Sequence, residues 1–363
     1  MEIDQDVARQ MFEEGGTLLI TGMPVGTEFG IDMNSWNVGE KFKGVKMIPP
    51  GLHFVYFSAV NRQGDVAPRT GFFHVFKQRE LLVRTYDPVN EDLNPDDTNP
   101  DQVERIRANL KDLDKNLGAY PLDSWRKWVS FTQHISEQQL LQMLPLSGKI
   151  YSAPQLVAAK PTDMETSATS PEPGKQTRDL PEMEVKPGTE FGFVKIPKKP
   201  YKDGASPAEM TKYSMDSSYI VGQLLGQVKN PVDLVGELQF SFVCFLVGQV
   251  WEGWEHWRKL VEALCRAEET LLANPDLYNK VLSTLHFQIH EVPEDLFVDI
   301  VESNNFLASV LSTLFANIHD SAGNLPTNLV AKARKFKNHI QTKYKWDLSI
   351  EMEDDAPVVV QTD

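Results

Sequence analysis

One stretch limits what this chain can fold into more than any other. From Leu234 to Val250 the sequence is almost wholly apolar, with Leu238, Phe240, Phe242, Phe245 and Leu246 inside it. It falls short of the roughly 20 residues a membrane span needs. A helix that is apolar on every side belongs at the centre of a bundle, so other helices must surround it. The flanking sequence supplies them. Ser206-Pro207-Ala208-Glu209 reads as a capping box with proline at the first helical position. Trp254, Trp257, Val261 and Leu264 follow at helical spacing, and Asn274-Pro275 starts a helix bearing Leu277, Val281, Leu282 and Leu285. Further helices are expected from Pro293 through Val301, from Phe306 to Ile318 and from Leu329 to Trp346. Residues 206–348 therefore read as an all-helical domain, a bundle or a short superhelical stack.

The N-terminal part has a different period. Thr17–Ile20, Leu52–Phe57, Gly71–Phe76 and Leu81–Val83 read as short strands, the last two as a hairpin around the charged turn Lys77–Glu80. Strands at near-regular spacing suggest a sandwich or small barrel. Helices accompany them. Pro100 and the apolar positions Val103, Ile106, Leu110, Leu113 and Leu117 predict one helix, capped by Asn99 and closed by Gly118. Trp125, Trp128 and Val129 mark a second, and Ser136 with Gln139 caps a third. Residues 1–150 thus form a β-rich domain, and the whole chain an α+β protein of two domains. Residues 151–205 are rich in Pro, Lys, Thr, Ser and Glu and read as a linker. Within them Gly188-Thr189-Glu190-Phe191-Gly192 repeats Gly26-Thr27-Glu28-Phe29-Gly30. Both copies look like a turn entering a strand, and the second is either a chance likeness or a return to the N-terminal sheet. Residues 349–363 form an acidic tail ending in the β-prone Val358-Val359-Val360.

Charge narrows the function. The 51 acidic residues against 36 basic ones leave a formal charge of −15. Such a surface repels phosphate backbones outside a segregated basic face, which disfavours DNA. The N-terminus lacks the pattern of a secretory signal. Cys244 and Cys265 sit in apolar helical segments and read as buried hydrophobes in a reducing compartment, cytosol or nucleus.

Motifs for nucleotide, acyl-transfer or zinc chemistry do not occur, and no cofactor is expected. His286 and His290, four apart on a helix, make half of a metal site or a core boundary. Trp254 and Trp257 read as core, whereas Trp251 falls on the opposite face and suits a partner anchor. Lys332, Arg334, Lys335, Lys337, Lys343 and Lys345 form a basic strip, either a solvated helix face or a contact for RNA or an acidic partner. Ser170-Pro171 and Ser206-Pro207 are candidate phosphorylation sites, although Ser206 also serves as a plain helix cap. Val358, Val359 and Val360 are expected to add a strand to a partner's sheet edge, starting beyond Pro357.

Several segments together resemble one family. Gly26–Asp32, Asn34-Ser35-Trp36 and Phe42–Gly51 are similar to the N-terminal signature of the AAR-two splicing-factor homologues. Gly236-Glu237-Leu238-Gln239-Phe240, Phe242–Leu246 and Glu255-His256-Trp257 resemble its helical domain. Phe297–Val301, Asn305-Phe306-Leu307, Trp346-Asp347 and Ala356–Val360 resemble its C-terminal part. The likeness spans nearly the whole chain and lapses between Tyr151 and Lys186. It implies a VHS-like helical domain and a non-enzymatic assembly factor of the U5 snRNP in the cytoplasm, with a nuclear presence as well. The implied partner is the large U5 scaffold protein, the Prp-eight protein, held by its RNase-H-like and Jab/MPN-like domains. The U5 helicase and RNA would be kept off until phosphorylation releases the factor. The other readings are a helical adaptor for peptides and an enzyme whose site is assembled without a local motif.

Overall fold

The computed structural model describes residues 5–60, 63–94, 100–158, 183–291 and 306–348. Its segments divide between two compact units that alternate along the chain. One holds residues 1–125, 140–192 and 246–251; the other holds 126–139, 193–245 and 252–363.

The first unit is sheet-rich. Helix α1 (Gln5–Glu14) leads into β1 (Gly16–Thr21), β2 (Glu28–Ile31), β3 (Asn34–Asn37), β4 (Gly44–Ile48) and β5 (Gly51–Ser58). Then come β6 (Thr70–Phe76), β7 (Leu81–Asp87), β8 (Asp92–Asn94), β9 (Leu117–Ala119) and β10 (Ile150–Tyr151). They form two five-stranded sheets, ordered β8-β7-β1-β4-β9 and β10-β6-β5-β2-β3. Strand alternation sets what each face meets. Leu18 and Ile20 share a core with Phe29, Ile31, Val55 and Phe57 of the other sheet, which makes the expected sandwich. Leu19 and Val83 point to the opposite face, where Val103, Ile106, Leu110 and Leu113 cover them.

Two local expectations fail here. The strands flanking Lys77–Glu80 are not a hairpin: β7 pairs parallel with β1, while β6 pairs with β5 and β10. The charged turn carries the chain from one sheet to the other. The single helix expected from Pro100 to Leu117 is also broken. It becomes α2 (Pro100–Ala108), α3 (Leu110–Leu113) and a 3-10 turn at Asp114–Asn116. Gly118 is no helix terminator but a strand residue opposite Val45. Backbone pairing with β4 satisfies Leu117–Ala119 in place of another helical turn. Asn99 lies outside the described residues.

Between 151 and 205 the chain forms a small ribbon, in which β11 (Leu156–Ala158) pairs with β12 (Met183–Val185). The second Gly-Thr-Glu-Phe-Gly copy keeps the turn, with Gly188 at φ 86° like Gly26 at φ 90°. It enters no strand and does not return to the N-terminal sheet. Its Gly192 N–H donates instead to the Met143 carbonyl at 2.9 Å.

The remaining elements are helical: α4 (Leu122–Thr132), α5 (Glu137–Met143), α6 (Pro207–Met215), α7 (Ser218–Leu225), α8 (Val232–Leu246), α9 (Trp251–Cys265) and α10 (Glu268–Ala273). They continue with α11 (Pro275–Glu291), α12 (Phe306–Asp320) and α13 (Thr327–Tyr344). Every residue of α8 from Leu234 to Cys244 is buried, as an all-round apolar helix requires. The helix stops at Leu246 rather than Val250, and Gln249 takes a left-handed φ of 57°. The helix expected from Pro293 lies outside the described residues.

Candidate partner-binding surface

The motif residues that set this sequence apart converge on buried polar nodes. In the sheet-rich unit Asp32 is fully buried at φ 54°. Its Oδ1 accepts the Phe54 N–H at 2.9 Å, and its Oδ2 accepts the Tyr120 hydroxyl at 2.6 Å. His53 Nδ1 lies 2.7 Å from the same Oδ2, and its Nε2 donates to the Pro49 carbonyl at 2.7 Å. The Asp32–His53 pair is thus a fully buried hydrogen bond between Nδ1 and Oδ2. Burial, followed by the Asp32 charge, drives the Tyr120 phenol far above its ordinary value, so it stays a donor. Gly30 sits against the Tyr56 ring, where a Cβ would collide. Arg69 lies 4.2 Å over that ring, pairs with Glu28 at 3.0 Å and donates to the Val247 carbonyl.

The helical unit has a matching node on α8. Glu237 Oε1 accepts the Val194 N–H at 2.7 Å and meets His256 Nε2 at 2.7 Å. Phe193 stacks on the His256 ring with centroids 4.1 Å apart. Gln239 Oε1 accepts the His134 N–H at 2.8 Å, and its Nε2 donates to the Ser130 carbonyl at 3.1 Å. Trp257 Nε1 donates to Gln288 Oε1 at 2.9 Å. The polar letters in the apolar helix are thus joints that hold its neighbours in register. Sequence reading marked these residues as motif without seeing their partners.

Both cysteines are free and buried. Burial pushes the Cys265 thiol up to about 12 and raises that of Cys244 well above the ordinary range, which makes both poor nucleophiles. His286 and His290 do meet a third imidazole, His339 on α13, with ring centroids 5.0–5.8 Å apart. They pack as rings, and His286 stands edge-on to Phe336. Burial, then the neighbouring His290 and Lys343, lowers the His339 pKa. Among the described residues no group of three or more His, Cys, Asp or Glu side chains is placed to hold a metal ion. Nor is any helix there long and apolar enough to cross a membrane.

Trp251 opens α9 with 63% of its surface exposed, while Trp254 and Trp257 are buried. Ser206 caps α6: its hydroxyl accepts the Glu209 N–H at 3.3 Å, and its own N–H donates to Glu209 Oε2 at 2.8 Å. Ser170 and Val358, Val359 and Val360 lie outside the described residues. Leu141 and Leu146, at 71% and 95% exposure, are apolar positions that sequence periodicity did not single out as surface.

Fold and surface define an α+β protein with a sheet-rich N-terminal region and a helical C-terminal region. Two family models match it: the AAR2 N-terminal domain over residues 14–145 and the AAR2 C-terminal repeat region over residues 193–349. The chain is 43% identical over 375 residues to the protein AAR2 homolog of Mus musculus, covering 99% of this chain and 97% of that one. It is 41% identical to the Homo sapiens homolog over the same coverage. The A1 cistron-splicing factor AAR2 of Saccharomyces cerevisiae is 21% identical over 284 residues, 77% of this chain and 78% of its own. The chain belongs to the AAR2 family.

Proposed function

We propose that this protein is a pre-mRNA splicing factor that acts as a non-enzymatic assembly chaperone of the U5 snRNP. It binds the large U5 scaffold protein, the Prp-eight protein, through that protein's RNase-H-like and Jab/MPN-like domains. While bound it keeps the U5 helicase and RNA away, and phosphorylation releases it. It works on a cytoplasmic precursor particle and is present in the nucleus as well. The observation that carries this reading is the family match along both halves of the chain, joined to the splicing role that the yeast relative's name states. The polar nodes support it, because they are enclosed by packing and serve to fix helices and strands rather than to meet a substrate.

Trp251 supplies an exposed aromatic anchor, and Val358–Val360 add a strand to the scaffold's sheet edge. The decisive experiment is affinity purification of the tagged full chain with mass spectrometry of what accompanies it. Recovery of the scaffold protein without the U5 helicase is expected; recovery of neither sinks the proposal. A chain ended after Asp355 is expected to bind the scaffold's C-terminal domains at least ten-fold more weakly with an unchanged melting profile. Equal affinity would remove the strand-addition step. Aspartate at both Ser170 and Ser206 is expected to weaken the same binding.

A further inference from the structure

We propose that in the free protein the acidic tail, residues 349–363, occupies a groove between α12 and α13 of its own chain. The groove has a volume of about 370 Å³. Phe315, Ile318, Val330 and Ala333 line it with apolar surface, and Arg334 and Lys337 stand over it. Asp320 at its end is already engaged by His319 at 3.2 Å.

Charge selects the occupant. In a chain of net charge −15, the stretch from Ser321 to Trp346 contains six cations and no carboxylate. Lys332 is committed to the Asn279 carbonyl and Ser283 hydroxyl, and Lys343 to the His290 carbonyl. Arg334, Lys335 and Lys337 have no carboxylate partner among the described residues. The tail that follows carries Glu351, Glu353, Asp354 and Asp355, and then the apolar Val358–Val360. Its composition thus matches the groove in both charge and apolarity.

Reach agrees. Leu348 is fully buried and fixes where the tail starts. Arg334 lies ten residues before Tyr344, about 15 Å along the helix axis. An extended chain covers that distance in about five residues, which brings the acidic run level with Arg334 and Lys337. A tether this short holds the tail at millimolar effective concentration, an advantage that no acidic peptide or RNA arriving from solution has. Occupancy stands on these observations alone. Its regulatory meaning rests on the scaffold reading: a partner that recruits the tail must first displace it, and its apparent affinity falls by the fraction held.

The test uses the full chain. Because Cys244 and Cys265 are buried, Thr362→Cys accepts a nitroxide label selectively. Its spectrum is expected to show a slow component that disappears in Arg334→Glu/Lys337→Glu and in Glu351→Lys/Asp354→Lys. The slow component should return when the two charge reversals are combined. The tail variant leaves the sequence of α13 unchanged, so it reports binding even where the helix variant perturbs α13. A separate arm adds a peptide of residues 349–363 to a chain ended at Leu348, with at least ten-fold weaker binding expected after reversal of Arg334 and Lys337. A fast spectrum in the parent chain, no effect of the reversals, or a uridine oligonucleotide that binds the strip equally with and without the tail would each overturn the proposal. None of these readouts involves the scaffold protein.

Discussion

At the scale of single residues, Asp32 shows what a motif position is for. It serves a backbone N–H, a phenol and an imidazole at once. Asp32→Ala strands all three in a dry interior, and breaking such a buried pair costs about 3–5 kcal/mol. The urea midpoint of the near-ultraviolet signal is expected to fall accordingly; an unchanged midpoint would mean that the node carries no stability. Cys265 gives a pH prediction. Its folded value, near 12, lies above the ordinary 9.0, so the neutral buried thiol contributes stability below pH 9 that is lost as pH rises towards 12. The stability difference between the parent chain and Cys265→Ala should therefore shrink across that window, and neither thiol should react with a thiol reagent in the native protein at pH 8. Composition and periodicity made the burial of both cysteines legible. The Asp32 node was not, because Tyr120 lies 88 positions away in sequence and no local pattern encodes such a partner.

At the scale of elements, local chemistry was legible where it sufficed to determine structure. The Ser206–Glu209 capping box formed as written, since both partners lie within one turn. Ser206→Ala is expected to speed hydrogen exchange in the first turn of α6 roughly five-fold, the size of an ordinary cap. No change there would show the cap to be redundant. A phosphate on Ser206 meets the helix dipole favourably but faces the Glu209 carboxylate, which the hydroxyl now contacts at 2.8 Å. The failures are tertiary. Two strands separated by a short charged turn looked like a hairpin, yet β7 found β1 across the sheet. Leu117 has the helical spacing of its predecessors, yet strand pairing with β4 took it. In both cases a distant backbone ladder outweighed a local preference. The second Gly-Thr-Glu-Phe-Gly copy kept its turn but gained no strand, because a glycine at positive φ is a local property and a strand partner is not.

At the scale of the whole molecule, the linear reading of the chain differs from its packing. The family models cover residues 14–145 and 193–349, whereas the compact units draw on segments that alternate along the sequence. Residues 246–251 belong to the sheet-rich unit and supply the Val247 carbonyl that takes Arg69. A fragment of residues 1–192 is therefore expected to melt at a lower temperature than the sheet-rich unit within the full chain, as followed by its tryptophan fluorescence. Equal melting temperatures would show the segment to be dispensable. The same arrangement bears on synthesis. At about 5–20 residues per second, a ribosome takes several seconds to progress from residue 192 to residue 251. Throughout that interval the nascent sheets await their final segment while helices α6 to α8 emerge behind them. The N-terminal half of this protein completes its fold only after much of the C-terminal half has been made, which ties the maturation of each unit to translation of the other.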